Sequence, residues 1–160
     1  MYMKIKLFFD KVEKVILFIL AIILAIMVIA LFLQVILRYL FKSATPWAEE
    51  LARYAFIWLS MLGATVAMRR GRHMNMDYFV NLLPQNIGKI TNIVAHILII
   101  FFLAVVTYYG IGLVIMTHKQ LSSGMRIPMS YVYLSIPIGS MFMIMFIVES
   151  YFTKKTIKEG

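Results

Sequence analysis

From Val15 to Leu33 the chain runs through 19 residues without one polar side chain. As an α-helix that run is about 28 Å long, enough to cross the hydrocarbon core of a bilayer. Its surroundings allow no soluble alternative. Of the 160 residues 62% are hydrophobic and 14% charged, where soluble domains hold about half and about a quarter. There is too little polar surface to cover the chain in water. Four Lys residues precede the run (Lys4, Lys6, Lys11, Lys14), which raises the question of a signal peptide. The run exceeds such an h-region and no A-x-A-like site follows it, so it is expected to be a retained first transmembrane helix. Residues 1–14 then form a basic amphipathic lead-in, either lying among headgroups with its rings down or simply solvated.

Three further spans follow. The first helix is expected over about 15–41, long enough to tilt or to project from the membrane. Thr45-Pro46 reads as the N-cap and first position of a second helix, running to Met68. Glu49 and Glu50 in its first turn suit the helix dipole, and Glu49 and Arg53 stand four apart in the favourable order. Ser60/Ala64 and Gly63/Ala67 give small-xxx-small spacing, which lets another helix approach closely. After the basic loop Arg69-Arg70-Gly71-Arg72-His73, the segment Asp77 to Leu83, closed by Pro84, is too short to span and is expected at the interface. A third span covers about 90–116 and a fourth about 130–148, with a kink at Pro137. The fold class is therefore an all-α membrane protein in a single domain, with four transmembrane helices and short interfacial segments.

The net charge of +9 does not point to nucleic acid, because the basic residues lie between the apolar segments rather than on one patch. An even number of spans puts both termini on one side. Eleven of the sixteen Lys and Arg residues then fall on the terminal side, which the positive-inside rule makes cytoplasmic. No internal repeat of the kind that builds many carriers is visible.

Chemistry-bearing constellations are sparse. The chain has no cysteine, so disulfides, thiolate metal sites and cysteine nucleophiles are excluded. Apart from tyrosines, His96 is the one titratable side chain well inside a span, and its place about one turn in suits an interfacial ring. His96 and His118 lie about 33 Å apart along one helix and cannot share a haem iron. Adjacent Glu49 and Glu50 point about a hundred degrees apart, poor geometry for paired acid–base work; pairing with Arg53 or Arg38 is the expected role. An enzyme is not expected, nor any cofactor. Trp47 belongs to an interfacial aromatic belt, whereas Trp58, about 16 Å deeper, is expected against a neighbouring helix. The thirteen methionines and the many Phe and Tyr residues read as lipid-facing and core filling. One alternative is a small autonomous four-helix exporter of the multidrug type, although such a protein needs an ionisable residue in a span and the first helix has none before Arg38.

One ordered set of motifs is more specific. Arg38-Tyr39 closes the first helix; Trp47, Glu49, Glu50, Leu51, Arg53 and Trp58 form a W-x-E-E-L-x-R-x-x-x-x-W stretch. Gly63-Ala64 follows, then the R-x-G-x-H loop Arg69-Arg70-Gly71-Arg72-His73, which holds Arg70, Arg72 and His73. Further on come Ile127-Pro128, Tyr133, Pro137 and Gly139. In this order they resemble the small membrane subunit of tripartite ATP-independent periplasmic (TRAP) transporters. The resemblance implies a bacterial inner-membrane protein that partners a large elevator-type membrane subunit and a periplasmic substrate-binding protein. Together these would take up organic acids of the sialic acid or dicarboxylate type, with sodium coupling in the large subunit. In that reading Arg38, Trp47, Glu49, Glu50, Arg53, Trp58, Gly63 and Ala64 pack helices or subunits. Lys42, Lys119 and Arg126 face the binding protein. Arg69, Arg70 and Arg72 hold anionic headgroups among the membrane lipids.

Overall fold

The structure is a computed structural model that describes residues 2–42, 45–71 and 85–158. The expected interfacial segment 77–83, with Arg72, His73 and Pro84, lies outside the described residues. Every regular element among them is a helix: α1 (Tyr2–Leu40), α2 (Pro46–Gly71), α3 (Gln85–Thr117), the single turn α4 (Ser130–Tyr133) and α5 (Ser135–Lys158). Four stretches are long and apolar enough to cross a membrane: Lys6–Leu40, Pro46–Gly71, Ile93–Thr117 and Ser130–Ser150. This is an all-α, multi-pass membrane protein.

The lead-in is not a separate segment. It is the first part of α1, a continuous helix of 39 residues and so about 58 Å long, well beyond a bilayer core of about 30 Å. No glycine or proline interrupts it, and its polar residues divide by face. Lys6, Lys11 and Lys14 are exposed, while Phe9, Val12 and Glu13 are half-buried against the rest of the molecule. The lead-in therefore runs on into the first span as one unbroken helix.

The helices pack in the order α1, α2, α5, α3, so that α2 and α5 are central and α1 and α3 flank them. The sequence explains why. Lipid is as apolar as leucine, so helices in a bilayer associate through close packing and polar contacts, and the central pair carries the small residues. Ala48, Ala52, Ala55 and Thr65 of α2 are buried, as are Ser135 and Ser140 of α5. At Gly139 a Cβ would stand 3.1 Å from Met61 Cβ, and Thr65 Oγ1 donates to the Gly139 carbonyl at 3.3 Å. α3 approaches α5 in the same manner: a Cβ on Gly110 would stand 3.2 Å from Pro137 Cδ, and Thr107 and Ser140 share a hydroxyl bond of 2.8 Å. The principal apolar cluster joins Ile16, Leu62, Val66 and Phe146 from α1, α2 and α5, and a second joins Leu103, Met143 and Ile147.

The break in the fourth span falls at Leu134, between α4 and α5, rather than at Pro137 itself. Proline disturbs the carbonyl four residues before it, here Tyr133, which closes α4. Pro137 then sits in the first turn of α5, where its missing N–H costs little. At the start of α2, Pro46 is the first helical residue as expected, but Thr45 does not cap through its side chain. The Ala48 N–H donates to the Thr45 carbonyl at 3.2 Å, and the Thr45 hydroxyl is buried without a partner.

Candidate functional site

The polar residues gather at the two ends of the bundle. One end holds the start of α1 and the finish of α2 and α5 (the terminal end). The other holds the α1–α2 turn and the 118–129 connection (the loop end).

At the terminal end Arg69 is the hub. Its Nε and Nη2 donate to both oxygens of Glu149 at 3.1 and 2.9 Å, a two-pronged fork of the kind that makes Arg–carboxylate pairs strong. Nη2 also reaches Asp10 Oδ1 at 2.7 Å, Nη1 donates to Glu13, and the guanidinium lies 4.9 Å from the centre of the Phe146 ring. The side chains of Arg69 and Glu149 are only 11% and 10% exposed. Arg70 donates to the other oxygen of Glu13 at 2.7 Å but remains 61% exposed. Three helices are thus joined through one cation, level with Glu13 just outside the apolar run of α1. This differs from the expectation that Arg69 reaches headgroups, since its donors are taken up by carboxylates. Arg70 keeps an open face toward the boundary. Arg72 lies outside the described residues.

At the loop end Glu50 does similar work with different chemistry. One carboxylate oxygen accepts the Ser123 N–H at 2.9 Å, and the other accepts those of Gly124 and Met125 at 3.0 and 2.9 Å. The loop can approach this closely because residue 124 is glycine: a Cβ there would meet Glu50 Oε2 at 3.1 Å and the Trp47 backbone nitrogen at 3.1 Å. The loop is also tied to itself. Ser122 N–H donates to Ile127 O and Met129 N–H to Gln120 O, each at 2.9 Å.

The remaining expected residues fall around these two centres. Arg53 pairs with Glu49 at 2.9 Å on the exposed face of α2, both side chains more than 60% exposed. Arg38 is exposed at the end of α1 and makes no ion pair with either glutamate, so the expected knot reduces to the Glu49–Arg53 pair and the Glu50 nest. Trp47 is exposed at the loop end. Trp58 is half-buried beside the principal apolar cluster and donates its indole N–H to the Tyr131 carbonyl at 3.2 Å. Gly63 has open space around it, and Ala64 is exposed. Lys42, Lys119 and Arg126 are all exposed at the loop end.

Sequence reasoning missed Asp10, Glu13 and Glu149 as partners of Arg69. Asp10 and Glu13 stand three apart, hence on one helical face, and that spacing was the available signal. It also missed the backbone amides of 123–125 as the partner of Glu50.

Neither centre is a reaction site: each consists of charges or dipoles already satisfied by one another. The bundle is thus tied at both ends by contacts within the chain. A family profile described as "Tripartite ATP-independent periplasmic transporters, DctQ component" matches residues 27–155, and the chain belongs to that family. It is 30% identical over 91% of its length to a putative TRAP transporter small permease protein of Haemophilus influenzae, covering 88% of that protein. It is 32% identical over 55% of its length to the C4-dicarboxylate TRAP transporter small permease protein DctQ of Vibrio cholerae, covering 37% of it. A third similarity is to the sialic acid TRAP transporter permease protein SiaT of Haemophilus influenzae, 36% identical over 49% of this chain. There the chain spans only 13% of the relative's length, so the matched region is a small part of a much longer permease. The family is a transporter component rather than an enzyme, and the exporter alternative falls with this assignment.

Proposed function

We propose that this chain is the small, static membrane subunit of a sodium-driven, binding-protein-dependent transporter of organic acids in the bacterial inner membrane. It braces a large elevator-type subunit and helps to dock a periplasmic binding protein, with its termini in the cytoplasm. The observation that carries the reading is the pair of locks at opposite ends of the bundle: the Arg69 cluster joins α1, α2 and α5, and Glu50 joins α2 to the 123–125 loop. A protein that moved solute itself would rearrange its helices and need a polar site near the midplane. Here no Asp, Glu, Lys or Arg lies between Val15 and Leu37, between Tyr54 and Met68, or between Ser130 and Val148.

The relatives named for sialic acid and for C4-dicarboxylates both handle carboxylate-bearing solutes, which supports that substrate class. The length of the SiaT relative beyond the matched region supports a large membrane partner. Lys42, Lys119 and Arg126 are the residues proposed to meet the binding protein, and the exposed side of α2 with Gly63 and Ala64 is the face proposed for the large subunit. The test is reconstitution of this chain, the large subunit and the binding protein in proteoliposomes. Sodium-dependent uptake of an organic acid should need all three. Uptake by the large subunit and binding protein without this chain would overturn the bracing role.

A further inference from the structure

Two residues other than glycine have left-handed backbone among the described residues, Lys42 (φ 50°) and Arg126 (φ 52°). Both are basic, both lie between helices at the loop end, and both are exposed. This conformation is unfavourable for residues with a Cβ, by roughly 1–2 kcal/mol, and persists only where surrounding contacts over-determine it. At Arg126 those contacts are visible. The preceding three amides, Ser123 to Met125, are held on the Glu50 carboxylate. The following residue is held twice on Ser122, through Ser122 N–H to Ile127 O at 2.9 Å and Ile127 N–H to Ser122 Oγ at 3.3 Å.

The charges at this end are equally one-sided. Glu49 is engaged by Arg53 and Glu50 by the backbone, while no ion pair among the described residues neutralises Lys42, Lys119 or Arg126. The result is a cationic loop end in which the backbone on either side of Arg126 is held in place.

We infer that Glu50 is a positioning residue that latches the 119–129 loop, so that Lys119 and Arg126 are presented in a fixed geometry to an acidic protein surface. The inference rests on the docking role proposed above and adds the device that makes the surface rigid. A fixed presentation favours a folded protein partner, whose acceptors are also fixed, because association then carries less ordering cost. Fluid anionic headgroups rearrange around cations and gain little from rigidity on the other side.

The sign of one substitution separates this latch from simple electrostatics. Glu50→Gln removes a negative charge from a cationic surface. If only charge mattered, binding of an acidic partner would strengthen. Under the latch, the Gln amide brings an NH2 against backbone N–H donors, the loop loosens and binding weakens.

The experiment uses the complex of this chain with its large subunit in nanodiscs of neutral lipid, and reads docking of the soluble binding protein at several salt concentrations. Glu50→Gln should weaken docking about ten-fold and speed hydrogen exchange at the Ser123–Met125 amides. Glu49→Gln, which removes the same charge from the same turn, should leave exchange unchanged and docking unchanged or slightly stronger. The pair Lys119→Glu and Arg126→Glu should weaken docking and flatten its salt dependence. Stronger or unchanged docking in Glu50→Gln, with the charge reversals still disruptive, overturns the latch while the docking role stands. Unaffected docking in the charge reversals overturns the docking role and the latch with it. Docking that appears only in anionic nanodiscs assigns the cations to lipid and overturns the inference.

Discussion

Replacing Arg69 by leucine tests how the terminal end of the bundle is held. Glu149 is 10% exposed and takes both prongs of the Arg69 fork. Removing one partner of a buried ion pair costs about 3–5 kcal/mol, because the other charge is left without compensation. Two features move the figure to the low end. Glu13 keeps Arg70 at 2.7 Å, and Asp10 is 43% exposed to the boundary. The contact of the guanidinium with Phe146 adds about 0.5–1 kcal/mol. We expect Arg69→Leu to lower stability by about 3 kcal/mol on this balance, measured by equilibrium unfolding in mixed detergent micelles. Adding Glu149→Leu should recover about 1.5 kcal/mol, since removing both charges avoids the stranded carboxylate. Arg70→Leu should cost under about 0.5 kcal/mol, as expected of an exposed pair. If both arginine variants lie within about 0.5 kcal/mol of the native chain, the cluster is not a lock, and Arg69 returns to the headgroup role expected from its place in the sequence.

Three further expectations follow from packing. Gly139→Ala should destabilise the fold by about 1–2 kcal/mol, because the new methyl meets Met61 at 3.1 Å; the same unfolding assay reads it. Gly63→Ala should leave the isolated chain unchanged, because nothing lies within 4 Å of the site. Gly63→Leu should reduce co-purification of the large subunit if that face meets it. Trp58→Phe should cost about 1 kcal/mol for the lost hydrogen bond to the Tyr131 carbonyl, and the emission that remains, all from the exposed Trp47, should lie to the red of the native spectrum.

Much of this architecture was legible because lipid constrains a chain so strongly. A backbone in hydrocarbon must satisfy its own hydrogen bonds, so the apolar run after Val15 had to be a helix, and the start of α2 at Pro46 followed from proline's missing donor. The Glu49–Arg53 pair was legible because four residues make one helical turn. The Arg69 cluster was not, because its partners lie 56 to 80 residues away and nothing local marks them. Asp10 and Glu13 were passed over among the lysines of the lead-in, where net charge obscured that acid and base occupy different faces. That division of faces is also why the lead-in continues as helix into α1. The Glu50 nest escaped for another reason: its donors are backbone amides, which any residue supplies, and only the glycine at 124 leaves a trace in the sequence.

In the role proposed above, this chain is a scaffold that works only as part of a larger transporter. Gentle solubilisation of its native membrane, with a tag on this chain and identification of what co-purifies, is the decisive test. A large polytopic membrane protein should appear in one-to-one ratio, with sodium-dependent organic-acid uptake when that pair is reconstituted with the binding protein. A partnerless homodimer that moves solute by itself would contradict it.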